Sequence, residues 1–212
     1  MIPATPTPRS QKRIALTAAV LALAGAPLAS ASGTRVGFKD AFAMGRGNAF
    51  VATADNPSAV YYNPAGLTQL KGLRLQASDY AVSLSSKYSG AGGTAEMSDK
   101  YQSVPQFFTA WHPAGEPWAY GFGVYAPFGL STEWADSSPL RTFALKNEQT
   151  FLTFNFVTAY QLSPTLSIGG GVSYNHVTTD LQRRLGVFGP TDLFRFNGKG
   201  DAFGFNLGVL WQ

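Results

Sequence analysis

The 212-residue chain contains no cysteine. A disulfide scaffold, a zinc–thiolate site and thiol catalysis are therefore excluded. Charged residues are also scarce, since they make up 13% of the chain, about half the share that is usual in globular proteins. Apolar residues nevertheless account for 45% and aromatic residues for 14%, so the chain is not disordered. Much of its surface must meet something other than water.

Long hydrophobic runs are absent after residue 31, and the sequence therefore predicts no membrane-spanning helix. Residues 1–31 have the pattern of a secretory signal peptide, with basic residues within Arg9–Arg13 and a small-x-small site at Ala29-Ser30-Ala31. The apolar run between them, Ile14–Leu28, has about 15 residues, whereas a bilayer needs roughly 20. We predict a cleaved signal peptide rather than a membrane anchor.

An excess of positive charge is absent once this segment is removed. The whole chain has a formal net charge of +4, from 16 basic and 12 acidic residues. Three basic residues and no acidic one lie in the signal peptide, which leaves 13 basic and 12 acidic residues, a net charge of +1. A nucleic-acid partner is therefore not expected.

From about Leu73 onward, apolar residues recur at every second position, which predicts β-strands with one apolar face. The other face of these strands consists of Gly, Ser, Asn and Thr, with almost no charge. A soluble sandwich would place charges there, whereas a transmembrane barrel turns its large residues to lipid and its small polar residues inward. We favour the barrel and keep the soluble sandwich as the alternative. The clearest strand has Phe203, Phe205, Leu207, Val209 and Trp211 on its apolar face.

The pattern predicts about six strands joined by alternating short and long connections. Residues 112–117 and 163–165 are short turns, and residues 86–101, 127–147 and 180–199 are long connections. This alternation is typical of the periplasmic turns and extracellular loops of outer-membrane barrels. Aromatic residues near the strand ends fit the headgroup girdles of such a barrel; these are Trp118, Tyr160, Tyr174 and Trp211.

Residues 32–71 differ, because they are rich in Ala and Gly and contain helix-start signals. Asn56-Pro57 and Asn63-Pro64 each place a capping residue before a proline at the first helical position. We predict short helices over 57–62 and 64–70, after another near 41–46. Helices of this length are not stable alone, so we expect them to fold into the barrel lumen.

Four stretches carry a family resemblance. DAFAMGRGNAF at 40–50 and DNPSAVYYNPAGL at 55–67 resemble the N-terminal hatch of the FadL-type outer-membrane transporters, which carry long-chain fatty acids and, in other members, aromatic hydrocarbons. GFGVYAPFGLSTE at 121–133 and YQLSPTLSIGGG at 160–171 resemble strand regions of the same family.

The resemblance implies an all-β fold, a transmembrane antiparallel barrel of about fourteen strands with a helical hatch that plugs the lumen. About six strands are present, and single-chain bacterial barrels start at eight. We therefore expect a signal peptide at 1–31, a hatch at 32–71 and the first six barrel strands at 72–212, as the N-terminal half of a longer protein. A six-stranded barrel completed by oligomerisation is the alternative.

The resemblance also implies gating residues in the hatch. Asn63, Pro64 and Ala65 are the candidates, and Phe42 and Phe50 are candidates to line or plug the pocket. The alternatives are that Asn-Pro-Ala only caps a helix and that the two phenylalanines only pack the hatch.

Pro127, Phe128 and Gly129 are candidates for a strand kink that forms a lateral opening, as in the family. Proline cannot donate a ladder hydrogen bond, and glycine permits unusual backbone angles. The alternative is that Pro127 only begins a loop.

The candidate substrate-binding residues lie toward the outward end of the fifth strand and in the loop after it. A cationic residue there can pair with a fatty-acid carboxylate, or else be solvated or face lipopolysaccharide, and an apolar loop can bind a greasy ligand or pack on another loop. The candidates are Arg183, Arg184, Phe188, Leu193, Phe194 and Phe196.

We therefore predict an outer-membrane channel of the Gram-negative type for passive uptake of hydrophobic compounds. Its expected partners are a hydrophobic small molecule, outer-membrane lipid and lipopolysaccharide, and it is expected to be a monomer. A general porin and a structural or adhesive barrel are the alternatives. No metal, cofactor or enzymatic activity is expected, since His176 near Ser173 or Asp180 is the only loose catalytic candidate.

Overall fold

The computed structural model describes residues 35–212 apart from 91, 99, 188, 190 and 191. The predicted signal peptide and its cleavage site lie outside the described residues. In the described part of the chain, no helix combines the length and the apolar character that crossing a membrane requires.

Strands dominate the structure. Three short helices precede them: α1 (Ala41–Gly45), α2 (Ala59–Tyr62) and a 3-10 helix (Pro64–Gln69). The strands are β1 (Gly72–Leu84), β2 (Lys87–Gly90), β3 (Gly93–Glu96), β4 (Lys100–His112), β5 (Trp118–Tyr125), β6 (Ser131–Glu133), β7 (Lys146–Ser163), β8 (Leu166–Arg184) and β9 (Leu193–Trp211).

Seven of these strands form one antiparallel sheet. Its order is β1-β4-β5-β7-β8-β9, and β6 pairs with β7 beyond the end of β5. The six long strands are the six that the alternation predicts, and the all-β fold class is confirmed. The described sheet is an open one, with β1 and β9 at its two ends.

The connections also follow the predicted alternation. Turns after His112 and Ser163 join β4 to β5 and β7 to β8, at what we call the short-turn end of the sheet. The three longer connections lie at the opposite, long-loop end. Two of them contain strands that the sequence pattern does not predict, the β2–β3 hairpin and β6, because runs of three or four residues are too short to show a period.

The two faces of the sheet differ as the alternation predicts. Large residues cover the face that we call outward, where Phe203 is 85% and Phe205 is 82% exposed. The inward face has small residues, and Ala119 and Ala159 are buried there. An apolar face left uncovered on this scale is what a wall in contact with lipid requires.

Residues 35–71, which we call the N-terminal segment, cover the inward face and supply much of the core. Asp40 caps α1 by accepting a hydrogen bond from the Phe42 amide at 3.0 Å. Helix α2 begins at Ala59, two residues later than predicted, because Asn56 accepts a hydrogen bond from the Ser58 amide and so forms a turn. Asn63 caps the 3-10 helix as predicted.

Candidate functional site in the N-terminal segment and the interrupted strand

Asn63 connects the N-terminal segment to the sheet. Its side-chain amide donates hydrogen bonds to the carbonyls of Val51 and Val209, both at 3.0 Å, and its oxygen accepts one from the Ala65 amide at 3.2 Å. The side chain is buried. One residue therefore links two parts of the segment to β9, which goes beyond the capping role alone.

Glycine on the inward face allows the backbone of the segment to approach the sheet. A Cβ atom at Gly169 would lie 2.6 Å from the amide nitrogen of Ala65, and one at Gly208 would lie 2.1 Å from the side-chain oxygen of Asn63. No real Cβ atom is tolerated at such distances. The Asn-Pro-Ala turn, in which Pro64 and Ala65 are fully buried, is therefore seated directly on the backbones of β8 and β9.

Two asparagines of the sheet hold the adjacent part of the segment. The side-chain amides of Asn155 on β7 and Asn206 on β9 each donate a hydrogen bond to the carbonyl of Val60, at 3.1 Å. This carbonyl lies in α2, which is only four residues long. Neither asparagine is among the predicted site residues, although polar residues at every second, inward position could have identified them.

The two candidate phenylalanines of the segment have different surroundings. Phe50 is fully buried and meets Tyr62 edge to face, with ring centroids 5.2 Å apart. Phe42 is about half exposed and lies beside the guanidinium of Arg46, 4.2 Å from its ring centroid. Phe50 thus packs within the segment, and Phe42 presents a ring at its surface.

Regular pairing with β7 is interrupted between β5 and β6, and residues 127–129 lie in this interruption. Pairing stops at Tyr125 opposite Thr153 and resumes at Ser131 opposite Glu148, so this chain advances six residues while β7 advances five. The extra residue leaves the stretch 126–130, which we call the interrupted stretch, outside the regular ladder. Gly129 has a φ of 121°, and a Cβ atom there would lie 2.6 Å from the carbonyl oxygen of Gln149.

The start of the N-terminal segment pairs with this stretch. Arg35 and Phe128 form an isolated antiparallel bridge, and the Val36 amide donates a hydrogen bond to the Pro127 carbonyl at 2.9 Å. The Arg35 guanidinium also donates to the Tyr61 hydroxyl at 2.5 Å. Backbone groups of the segment therefore bond to a stretch that lacks regular pairing with β7.

Lys39 is the most unusual residue of the site, because its side chain is fully buried. The ammonium donates hydrogen bonds to the carbonyls of Ala126, at 2.7 Å, and of Val36. Burial, together with the nearby Arg35 charge, lowers the pKa of Lys39 to about 8. The sequence gives no sign of this, since a single lysine in a polar stretch is normally solvated.

An acidic residue next to Lys39 organises the same region. The Asp40 carboxylate accepts hydrogen bonds from the side chains of Ser58, at 3.1 Å, and Gln76, at 3.0 Å, and also from Asn56. These partners come from the turn at Asn56 and Ser58 and from β1. Asp40 thus fixes the segment against the first strand of the sheet.

The candidate substrate-binding residues separate into two groups. Arg183 lies on the inward face, where its guanidinium is 5.3 Å from the ring centroid of Phe194, and Phe196 shares that face. Arg184 lies on the outward face opposite Leu193 and makes a two-point contact with Asp136, at 2.8 and 2.7 Å. Arg184 and Leu193 therefore do not join the inward cluster, and Phe188 lies outside the described residues.

The loose catalytic candidate is not assembled. The His176 imidazole pairs with Asp201 at 2.7 Å, and Asp180 pairs with Lys146 and Arg195. Ser173 lies on the opposite strand face from His176, because the two are three positions apart in β8. The three residues therefore do not form a nucleophile–base–acid arrangement.

The chain is similar to known outer membrane proteins. The family described as outer membrane protein transport protein (OMPP1/FadL/TodX) matches residues 22–212. An outer membrane protein of Neisseria meningitidis serogroup B is 30% identical over 122 residues, which cover 52% of this chain and 26% of that protein. Outer membrane protein P1 of Haemophilus influenzae is 27% identical over 157 residues, which cover 64% and 34%.

Solved structures share the fold. The toluene transporter TbuX of Ralstonia pickettii superposes with a TM-score of 0.60 at 18% identity, over 74% of this chain and 49% of that one. A FadL homologue of Pseudomonas aeruginosa superposes with a TM-score of 0.57 at 17% identity, over 74% and 44%. The chain thus spans about half of these structures and a quarter to a third of the two relatives named above.

The match covers the N-terminal segment and the whole sheet, and the named relatives are outer membrane proteins. The predicted location in the outer membrane is therefore confirmed. The chain belongs to the OMPP1/FadL/TodX family of outer membrane transport proteins.

Proposed function

We propose that the protein is a monomeric channel for passive uptake of hydrophobic compounds, either long-chain fatty acids or aromatic hydrocarbons. The N-terminal segment is its hatch. The ligand is captured at the long-loop end, passes along the inward face, and leaves sideways through the wall at the interrupted stretch. The proposed role is transport alone, without catalysis.

The contact between the hatch and the interrupted stretch carries this proposal. The wall lacks regular pairing at 126–130, and the only backbone bridge from the segment to that stretch within the described residues runs through Arg35 and Phe128. A hatch that holds the weakest part of the wall closes two routes at once, because moving it frees both the interior and the side opening.

An apolar ligand needs an apolar path, since it gains nothing from a water-filled pore. The Phe128 ring meets Phe151 of β7 edge to face, with centroids 5.3 Å apart, so aromatic rings line the gap. The almost uncharged inward face also disfavours a general porin, whose lumen normally carries opposed rows of charge.

Capture at the long-loop end uses the inward cluster of Arg183, Phe194 and Phe196. Two aromatic rings offer an apolar surface, and the guanidinium can pair with a carboxylate. No carboxylate lies within 4.0 Å of Arg183 in the part of the chain that the structure describes, whereas Arg184 is paired with Asp136.

A reversible cross-link tests the hatch and the lateral exit together. Residues that form an antiparallel bridge are close enough for a disulfide, and the chain has no other cysteine. We expect the complete protein with Arg35→Cys and Phe128→Cys to lose uptake of a labelled long-chain fatty acid and of toluene when oxidised. Reduction with dithiothreitol should restore uptake.

The matched control is a disulfide between Lys87→Cys and Glu96→Cys, which are paired across the β2–β3 hairpin. This cross-link should leave uptake unchanged. Normal uptake through a fully cross-linked Arg35–Phe128 pair would show that the hatch does not need to leave the interrupted stretch. Uptake of a small sugar through the same protein would instead support a general porin.

A further inference from the structure

The outward face of β9 indicates where the membrane ends. Ten residues separate Trp211, at the short-turn end, from Asp201, which corresponds to about 34 Å along a strand. With the usual tilt of 35–45°, this is a height of about 25 Å, the height of the apolar band of an outer-membrane barrel. Asp201 is the first charged residue above that band, and it accepts hydrogen bonds from Tyr174 and His176 at 2.5 and 2.7 Å.

An open polar hollow of about 610 Å³ lies on the strand positions beyond Asp201. Most of its charged residues lie on the outward face. They pair across β7, β8 and β9 an even number of positions from the His176–Asp201 pair, so their side chains point to the same face. The hollow is therefore at the level of the lipid headgroups of the outer leaflet. Its principal lining residues are Lys146, Glu148, Asp180, Arg195, Asn197 and Lys199.

The hollow is lined by three basic and two acidic residues, so one positive charge is not balanced by a carboxylate. Lys146 pairs with both Glu148 and Asp180, and Arg195 donates two hydrogen bonds to Asp180 at 3.0 and 3.1 Å. Lys199 has no carboxylate within 4.0 Å among the described residues. The two hydrogen bonds to Asp180 hold Arg195 in place, Lys199 lines the same hollow with its ammonium unpaired in the described part of the chain, and the hollow carries a net charge of +1.

We propose that this hollow binds a phosphate group of outer-leaflet lipopolysaccharide. Lys199 and Arg195 supply the charge that recognises phosphate, while Asn197 and Thr178 can bind the sugar that carries it. A divalent cation is disfavoured as the occupant, because both carboxylates are already paired with basic side chains. This site faces lipid and is separate from the proposed uptake path, so it does not depend on the proposed function.

Binding of phosphorylated lipopolysaccharide to the complete protein in detergent tests the proposal, with native mass spectrometry as the readout. We expect Lys199→Gln combined with Arg195→Gln to weaken binding about tenfold or more, since two charge-assisted contacts are lost. Lys199→Arg should keep the wild-type affinity. Lys87→Gln, which removes a lysine in the β2–β3 hairpin, is the matched control and should have no effect.

Two further probes identify the source of the phosphate. Dephosphorylated lipopolysaccharide should bind the wild type more weakly and should not respond to the double substitution. Inorganic phosphate alone should not compete at millimolar concentration. Equal binding by the double variant, by the dephosphorylated lipid, or competition by free phosphate would each overturn the proposal. Heat-modifiable gel mobility shows that each variant is folded, and uptake measured in parallel reports on the proposed function separately.

Discussion

At the scale of single residues, strand geometry places the two neighbouring arginines of β8 in different surroundings. Arg183 and Arg184 are consecutive, and successive side chains of a strand point to opposite faces. One therefore lies near Phe194 on the inward face, and the other is tied to Asp136. Sequence alone could not choose between them, because the choice depends on which face of β8 is covered.

We expect Arg183→Gln to lower the affinity for a long-chain fatty acid about tenfold and to leave toluene uptake unchanged, because only the fatty acid has a carboxylate to pair with the guanidinium. Concentration-dependent uptake of the two ligands measures this. Arg184→Gln is the matched control and should affect both ligands equally. An equal loss for both ligands in Arg183→Gln would contradict a carboxylate contact.

The buried Lys39 predicts that the stability of the packed N-terminal segment depends on pH. Its pKa is about 8 when the segment is packed and has its ordinary value, about 10.4, when the segment is released. Between these values the released state binds more protons, so the packed state becomes more stable as pH rises. From pH 7.5 to 9.5 the gain is at most about 2 kcal/mol.

Hydrogen exchange of the amides in 35–45, corrected for intrinsic rates, measures this gain. The charged groups near Lys39 are Arg35 and Asp40, with the Tyr61 hydroxyl beside them. Lys39→Met removes the titration together with the bonds to the Ala126 and Val36 carbonyls, so its protection should be lower at pH 9.5 and independent of pH. A pH response that persists in this variant would rule out Lys39 as its source.

At the scale of elements, the interrupted stretch depends on Gly129. An alanine there meets a φ of 121° and a carbonyl oxygen of β7 at 2.6 Å. We expect Gly129→Ala to push residues 126–130 away from β7 and to increase leakage of a hydrophobic dye into cells. Gly115→Ala is the control, because Gly115 also has a positive φ but nothing within 4 Å of its Cβ position. Equal leakage in both would mean that backbone strain, not the gap, is responsible.

Strands β5, β7, β8 and β9 could be predicted from sequence because each alternates strictly for eight residues or more, whereas β1 and β4 alternate less cleanly. The start of α2 could not, because Asn56 caps a turn at Ser58 instead of a helix at Pro57. The Arg35–Phe128 bridge could not be predicted either, since residues that far apart in the sequence are brought together only by the tertiary fold. Local patterns therefore predict the strands of the sheet, whereas the contacts of the N-terminal segment are known only from the tertiary structure.

At the scale of the whole molecule, the depth of an outward residue in the membrane determines how much stability a charged substitution costs there. Phe205 lies in the middle of the band and is 82% exposed, and Tyr101 lies ten residues from Trp111, near its outer edge, and is 85% exposed. We expect Phe205→Arg to cost about 2–4 kcal/mol of stability in a bilayer and Tyr101→Arg about 0–1 kcal/mol. Refolding into vesicles over a denaturant series measures both. Equal costs would contradict the assigned depth.

The close seating of the Asn-Pro-Ala turn on the sheet also has an evolutionary consequence. At Gly169 and Gly208 even one added methyl group meets the Asn-Pro-Ala turn, so substitutions at these positions should rarely be tolerated. Outward positions such as Val172 and Leu207 are 63% and 80% exposed, and one apolar side chain can replace another there at little cost. The two faces of one strand should therefore diverge at different rates, and the fold can be shared by proteins that are only 17–18% identical.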